Sequence, residues 1–403
     1  CRAGGLVAGS HAVAPDGRLV TGAAAAERRL PRVGWFLIVK ALHRHVGQVV
    51  VAGFGGSAVS AELRALTREW DLGGVILFGR NIESPEQVAE LTFEIQELAQ
   101  DVPLWVSVDQ EGGRVARLRA PFTEWPPMAG VGRSGDTELA ERFAAALAEE
   151  LSAVGVTLDF APVLDLYSQG ADPVDHVIGD RALSSNVDEV GRFGRVIIST
   201  LQRQSVAACA KHFPGHGDTL VDSHQALPVI EHPPDRLRER EMAPFRVAIA
   251  ADVATVMTAH VLYPALDEER PATLSRTIVT DILRRELGHQ GLIVTDDLDM
   301  GAITEAQTVE QAAVRALRAG CDTVLMCSDS IDRHAAVLEA IIHAVEEGEL
   351  DSRMIEDAWV RQQRVKATFM GGEPRRRPLS GQALRARLGT AQHQAVAEEI
   401  ARA

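Results

Sequence analysis

The sequence predicts a (β/α)8 TIM barrel forming a single catalytic domain, and three observations predict it. From Gln48 onward, short apolar runs rich in β-branched residues alternate with longer amphipathic stretches, the pattern of repeated βα units around a parallel sheet. The runs number about eight, which is the count that closes a barrel. No Gly-rich dinucleotide turn follows the first run at the required spacing, because GFGGSAV at Gly53 matches only in appearance, so an open doubly wound sheet is the weaker alternative.

The candidate strands, in order, are QVVVAGF from Gln48, GGVILF from Gly73, PLWVSVD from Pro103, VTLDFAP from Val156, SVAACAKH from Ser205, ATVMTAH from Ala254, GLIVTD from Gly291 and CDTVLMC from Cys321. Between them lie helical stretches with apolar residues near every third or fourth position, such as SPEQVAELTFEIQELAQ from Ser84 and TVEQAAVRALRAG from Thr308. Ser84, followed by Pro85, Glu86 and Gln87, predicts an N-cap and first turn, and Gly320 predicts a helix stop. Residues 46–370 are therefore expected to form the barrel. Residues 1–45 show no clear periodicity and are expected to be a poorly ordered extension. GGEPRRRP after Met370 reads as a break, so residues 371–403 are expected to be a linker and a final helix.

Composition excludes several classes of partner. The 403 residues are 46% hydrophobic, enough to fill a sizeable core, and a formal net charge of -15 repels nucleic-acid phosphates and anionic headgroups. No nucleic acid is expected as a partner, and no membrane span either, since apolar runs such as 34–42 are far shorter than the roughly 20 residues that a span needs. The four cysteines, Cys1, Cys209, Cys321 and Cys327, lack paired metal or disulfide spacing. Cys321 and Cys327, read on one strand, would lie about 20 Å apart at ~3.3 Å per residue, too far for a disulfide. Reduced thiols and a cytoplasmic location are expected; the alternative is a membrane-anchored lipoprotein, with Cys1 as the lipid-bearing residue.

A barrel places its chemistry at the C-terminal ends of its strands, so polar residues there carry functional weight. Lys211 to His224 holds His212, His216, His224, Asp218 and Asp222, with Pro214, Gly215 and Gly217 making a loop, and the glycines are expected to let it swing over a bound ligand. A zinc site is a second reading of these residues, but no HxH or HExxH pair is present and further ligands such as His260 would be needed. GLIVT runs into Asp296-Asp297-Leu298-Asp299, where a carboxylate ending a strand can point into the barrel mouth, while Asp297 or Asp299 suits a helix N-terminus. Asp109, Glu111, Arg114 and Arg117 follow the third run, and Arg181 lies in the loop IGDRALS; carboxylates and guanidinium groups at a pocket suit vicinal hydroxyls, with a structural salt bridge as the competing use.

From about Val46 to Met370, the segments GGVILFGRNI, DQEGGRVAR, FAPVLDL, IGDRAL, KHFPGHGDTLVDSH, MTAHVLYPALD and VTDDLDM resemble glycoside hydrolase family 3, and within it the bacterial β-N-acetylglucosaminidases (β-N-acetylhexosaminidases) of cell-wall recycling. The resemblance implies a barrel with glycosidase activity. It assigns Asp296 as nucleophile, His224 as general acid/base held by Asp222, and Asp109, Arg117, Arg181, Lys211 and His212 as contacts to sugar hydroxyls. It implies no cofactor and no metal. The expected substrate is an N-acetylglucosamine-containing oligosaccharide or muropeptide; the rivals are a family 3 β-glucosidase, a glycoside phosphorylase and a non-catalytic sugar-binding protein. The chemistry suits these residue types: a carboxylate attacks the anomeric carbon while an imidazole protonates the leaving oxygen and later activates water.

Overall fold

The computed structural model describes residues 41–167, 177–219, 221–371 and 378–403. The expectations for residues 1–40, Cys1 among them, and for most of the break after Met370 lie outside the described residues. Eight strands follow one another around a closed barrel: β1 (Val50–Ala52), β2 (Gly74–Leu77), β3 (Trp105–Val108), β4 (Leu158–Asp159), β5 (Ala207–Phe213), β6 (Thr255–Thr258), β7 (Leu292–Asp297) and β8 (Thr323–Met326). Every neighbouring pair is parallel, and β8 returns to pair with β1. The TIM barrel expected from the alternating runs is the observed fold, with six strands lying inside the runs that predicted them and β5 and β7 continuing one residue past theirs, to Phe213 and Asp297.

Side chains alternate across each strand, so one set fills the barrel and the other packs beneath the helices. Val51, Ile76, Trp105, Leu158, Cys209, Met257, Val294 and Leu325 belong to the inner cluster, whereas Val50, Ala52, Val75, Leu77, Ile293 and Val324 belong to the larger cluster between strands and helices. Both sets are buried, which is why the runs read as continuously apolar rather than alternating. The helix Pro85–Gln96 starts where Ser84 Oγ accepts from the Gln87 N–H at 3.1 Å. The helix Val309–Ala319 opens with a capping box of Thr308 and Gln311 and stops at Gly320. No described helix is long and apolar enough to cross a membrane.

The N-terminal end of the barrel is closed by the helix Ser352–Met370. Val365, Phe369 and Met370 pack against the inner cluster, and the Trp105 indole donates to Gln362 at 2.9 Å. Lys366 is buried with its ammonium donating to Gln48 Oε1 at 2.8 Å and to the Gly73 carbonyl at 2.7 Å, and burial pushes its pKa down to about 7. Residues 41–48 are helical and lead into β1, with His43 stacked on Trp70 and His45 on Trp359. After residue 378 come the helices Gly381–Arg385 and Ala391–Arg402. Cys321 and Cys327 flank β8 instead of lying within it; they and Cys209 are free thiols.

The C-terminal end is irregular at two places. Between Ala210 and Phe213 β5 advances three residues while β6 advances two, from Val256 to Thr258. Between Val294 and Asp297 β7 advances three while β8 advances two, from Thr323 to Leu325. Each is a bulge of one extra residue, a device that bends a strand and re-aims its side chains. The first bulge spans Lys211 and His212, and the second spans Asp296.

Candidate active site

A cavity of about 350 Å³ opens at the C-terminal ends of the strands, lined by Asp109, Arg117, Arg181, Lys211, His212, His224 and Asp296, with Phe78, Met257 and Cys327 as apolar wall. Apart from Asp222, every site residue expected from the sequence therefore reaches one cavity, and Asp222 bonds to His224 at its edge.

One wall is a balanced charge network. Lys211 Nζ lies 2.9 Å from Asp109 Oδ1 and 2.7 Å from Glu111 Oε1, and Arg181 grips both Glu111 oxygens at 2.8 Å. Arg117 donates to Asp109 Oδ2 at 3.3 Å with its guanidinium near the Phe78 ring. Burial alone would raise the Glu111 pKa, but Arg181 and Lys211 outweigh it and hold the carboxyl well below the usual range. Burial likewise works against the charges of Lys211 and Arg181, and the carboxylates Asp109 and Glu111 reverse it, raising both above their usual values. Arg181 is thus a cavity residue and a structural ion pair at once. Glu111, Lys211 and Arg181 are held in their charged forms and, with Asp109 and Arg117, form a fixed array of donors and acceptors along the cavity wall.

Asp296 sits at the end of β7, with Oδ1 accepting the Asp297 N–H at 2.8 Å and Oδ2 lying 4.0 Å from His212 Nε2. Burial would raise its pKa; His212, His260, the Asp297 N–H and Lys211 together overcome that and hold it below the usual carboxylate value. The buried Asp165 accepts from the backbone N–H groups of His212 and His216, and its Oδ2 lies 2.7 Å from His212 Nδ1. That bond orients the His212 ring so that Nε2 faces Asp296.

The loop after β5 carries the imidazole–carboxylate pair. Asp222 Oδ1 lies 2.9 Å from His224 Nδ1 and accepts the His224 backbone N–H at 2.9 Å, while the His224 side chain is 72% exposed, leaving Nε2 free to meet an incoming group. The Asp222 pKa falls below its usual value because hydrogen bonds and charge from His224 exceed the effect of its partial burial. His216 braces the loop, with Nδ1 2.7 Å from Thr219 Oγ1 and Nε2 3.0 Å from Ser223 Oγ; burial pushes its pKa down to about 4, so it is neutral. Of the loop glycines, Gly217 packs closely, since a Cβ there would sit 1.4 Å from the Leu166 carbonyl oxygen, and Gly215 holds a φ of +135°.

Two sequence expectations change. Asp297 and Asp299 cap no helix, since the next helix, Gly301–Thr304, has Met300 at its N-cap. Asp297 Oδ1 accepts instead from the Cys327 and Asp299 N–H groups at 3.0 and 3.1 Å, tying β7 to β8, and Asp299 pairs with Arg333. The zinc alternative drawn from the three loop histidines and His260 finds them bound to Asp165, Asp222, Thr219, Ser223 and Thr273. Among the described residues, Asp218, His232 and Glu241 bring ligand-type atoms within 4.8 Å of one another, beside Arg236 and Arg240. Asp165 was not singled out from the sequence, and Glu111 and His216 were named there without a role of their own, although each follows an apolar run in the same manner as the residues that were given one.

Charged groups are held around a cavity at the C-terminal rim of a closed parallel barrel, the rim at which barrel enzymes place their active sites. The chain belongs to glycosyl hydrolase family 3: residues 41–365 match the Glycosyl hydrolase family 3 N terminal domain, and the protein is a glycoside hydrolase. It is similar to a beta-hexosaminidase from Nitrosomonas eutropha, 40% identical over 70% of this chain and 81% of that protein. It also resembles Beta-hexosaminidase A of Pseudoalteromonas piscicida, 35% identical over 76% of this chain, and spans only 55% of that protein's length. Among solved structures, a family 3 beta-N-acetylglucosaminidase from Paenibacillus sp. str. FPU-7 superposes with a TM-score of 0.82 at 41% identity, covering 89% of this chain and 68% of that one.

Proposed function

We propose that the protein is a retaining β-N-acetylhexosaminidase that removes terminal β-linked N-acetylglucosamine from cell-wall-derived or chitin-type glycosides. The observation that carries the reading is the placement of the ionised Asp296 carboxylate in the same cavity as the Asp109, Arg117, Arg181, Lys211 and His212 set, with the Asp222–His224 pair at its edge. Relatives named as beta-hexosaminidases and a beta-N-acetylglucosaminidase structure support the N-acetylated sugar.

In this mechanism Asp296 attacks the anomeric carbon as His224 gives its proton to the leaving oxygen, so the glycosidic bond breaks as a glycosyl ester forms. His224, now neutral, takes a proton from water, whose oxygen attacks the same carbon and releases Asp296. Asp222 orients the imidazole and supports its charged form. The charge network fixes the sugar hydroxyls, so that the reacting atoms meet without reorganisation. A cytoplasmic location fits the free thiols Cys209, Cys321 and Cys327.

The test is turnover of an aryl N-acetyl-β-glucosaminide beside the matching β-glucoside, in chelator, with and without phosphate. Release from the N-acetyl substrate alone, giving free sugar in both conditions, is the expected result. A sugar phosphate as product establishes the phosphorylase; release from neither, with sugar binding retained, establishes a binding protein.

A further inference from the structure

We infer that His260 is a positioning residue for Asp296, acting as a neutral imidazole that donates from Nε2 to the Asp297 carbonyl and so fixes the backbone that orients the carboxylate. The inference rests on the reading of Asp296 as the nucleophile.

The second bulge creates the need. One extra residue on β7 takes the segment between Val294 and Asp297 out of regular pairing with β8, just where the carboxylate must hold one orientation. Asp297 compensates with each of its polar groups. Its N–H donates to Asp296 Oδ1 at 2.8 Å, its carboxylate accepts from the Cys327 and Asp299 N–H groups, and its carbonyl oxygen lies 3.0 Å from His260 Nε2. With the residue anchored on both sides, the direction of its N–H is fixed, and that N–H sets the plane of the Asp296 carboxylate.

The tautomer follows from the partners. A carbonyl oxygen can only accept, so Nε2 carries the hydrogen. Nδ1 lies 2.7 Å from Thr273 Oγ1, which is itself 2.9 Å from Thr258 Oγ1. The Thr273 hydroxyl also lies 3.0 Å from the Ala259 carbonyl, which accepts the Thr273 N–H at 3.3 Å as well; with Nδ1 bare, that hydroxyl turns its one proton to the ring at the shorter distance, and the Thr258 hydroxyl donates to Thr273. His260 is fully buried, and burial pushes its pKa below the usual value; the charge of Asp296 and the Asp297 carbonyl oppose this, while His212 and His224 add to it. His260 touches no part of the cavity by itself, since the cavity wall is formed by Asp296 and Asp297 in front of it.

Three variants and one direct measurement test this. His260→Leu removes the donor, His260→Gln keeps an N–H at nearly the same reach, and Thr273→Val removes the hydroxyl that fixes the tautomer. On the glycoside that the wild type cleaves best, Leu is expected to lower kcat about 10- to 100-fold with KM within about twofold, because a displaced nucleophile weakens the transition state and not the sugar contacts. Gln is expected to restore most of the loss, and Val to fall between. A folded Leu variant with wild-type kcat, or Gln and Leu losing kcat and KM alike, overturns the inference. Independently of activity, 15N NMR of labelled histidine in the intact protein, with the His260 signal identified by its loss in the Gln variant, is expected to show a protonated Nε2 and a bare Nδ1 near neutral pH. The opposite tautomer or an imidazolium overturns it, even if the wild type proves to cleave some other glycoside; wild-type failure on the N-acetyl substrate together with the expected tautomer refutes only the proposed specificity.

Discussion

At the scale of single residues, the site separates groups that are charged from groups that are kept neutral, and burial decides little by itself. Glu111, which is buried, and Asp296, which is half-buried, both lie below the usual carboxylate range because cations and N–H donors face them. Asp297, next in the chain, has fewer such partners, and burial pushes its pKa up to about 6. The consequence for stability has a definite sign. A carboxyl whose folded pKa lies above its unfolded value of about 3.8 stabilises the fold fully below that value, and the contribution is lost as pH rises through about 6. Asp297→Asn keeps an oxygen for the Cys327 and Asp299 N–H groups and cannot ionise. The variant is expected to exceed the wild type in stability by roughly 1–3 kcal/mol at pH 8 and to match it near pH 4, read from denaturant melts at both pH values. An equal gap at both would show that the Asp297 charge is not the cause. The residues legible in the sequence were those that end an apolar run with a charge, such as Lys211 and Asp296. Asp165 stayed hidden, and Glu111 was named without a role of its own, because their worth comes from partners 47 and 70 residues away, His212 and Arg181.

At the scale of elements, the two strands that deliver Lys211, His212 and Asp296 each carry one extra residue relative to a neighbour. Continuous apolar runs located β5 and β7 to within one residue but could not show the bulges, because an extra residue at the polar end of a strand leaves the apolar run unchanged. The loop that carries Asp222 and His224 is likewise placed by contacts far from it in sequence. The Gly301 and Ala302 N–H groups donate to the carbonyls of His224 and Ser223 at 3.3 and 3.0 Å, and a Cβ on Gly301 would meet the Gln225 and His224 carbonyl oxygens at 2.7 and 2.8 Å. The glycine therefore sets how closely the loop docks on the end of β7. Gly301→Val is expected to reproduce, in weaker form, the signature of His224→Ala. Turnover of glycosides with poor leaving groups should fall at least about tenfold more than turnover of activated aryl glycosides, since the latter need little proton donation. Steady-state rates across a leaving-group series read this directly, and a uniform fall along the series would remove the loop from the explanation.

At the scale of the whole molecule, the barrel is finished by segments from outside its βα repeat. The helix Ser352–Met370 seals the N-terminal end, as the buried bonds from Gln362 and Lys366 to strands and turns there show. The sequence after residue 378 is polar enough to read as a tail, yet its helix Ala391–Arg402 buries Val396 and Ile400, and Ile400 packs against Gly130. Its approach is fixed by the buried Glu150, which accepts from the N–H and hydroxyl of Thr123 and from the Gly389 N–H, and lies 2.9 Å from His393 Nδ1. Val396, Ala397 and Ile400, set among exposed polar residues in a short helix, gave too weak a periodic signal to reveal this docking, and the acceptor that fixes it lies 243 residues from His393. If the segment belongs to the barrel's cooperative unit, truncating its core anchor must lower global stability. Ile400→Ala is expected to cost about 2–4 kcal/mol in denaturant unfolding, with one transition, because deleting most of a fully buried branched side chain leaves a cavity. A loss below about 0.5 kcal/mol, or a separate early transition, would instead mark residues 378–403 as an appendage whose unfolding leaves the barrel and its active site intact.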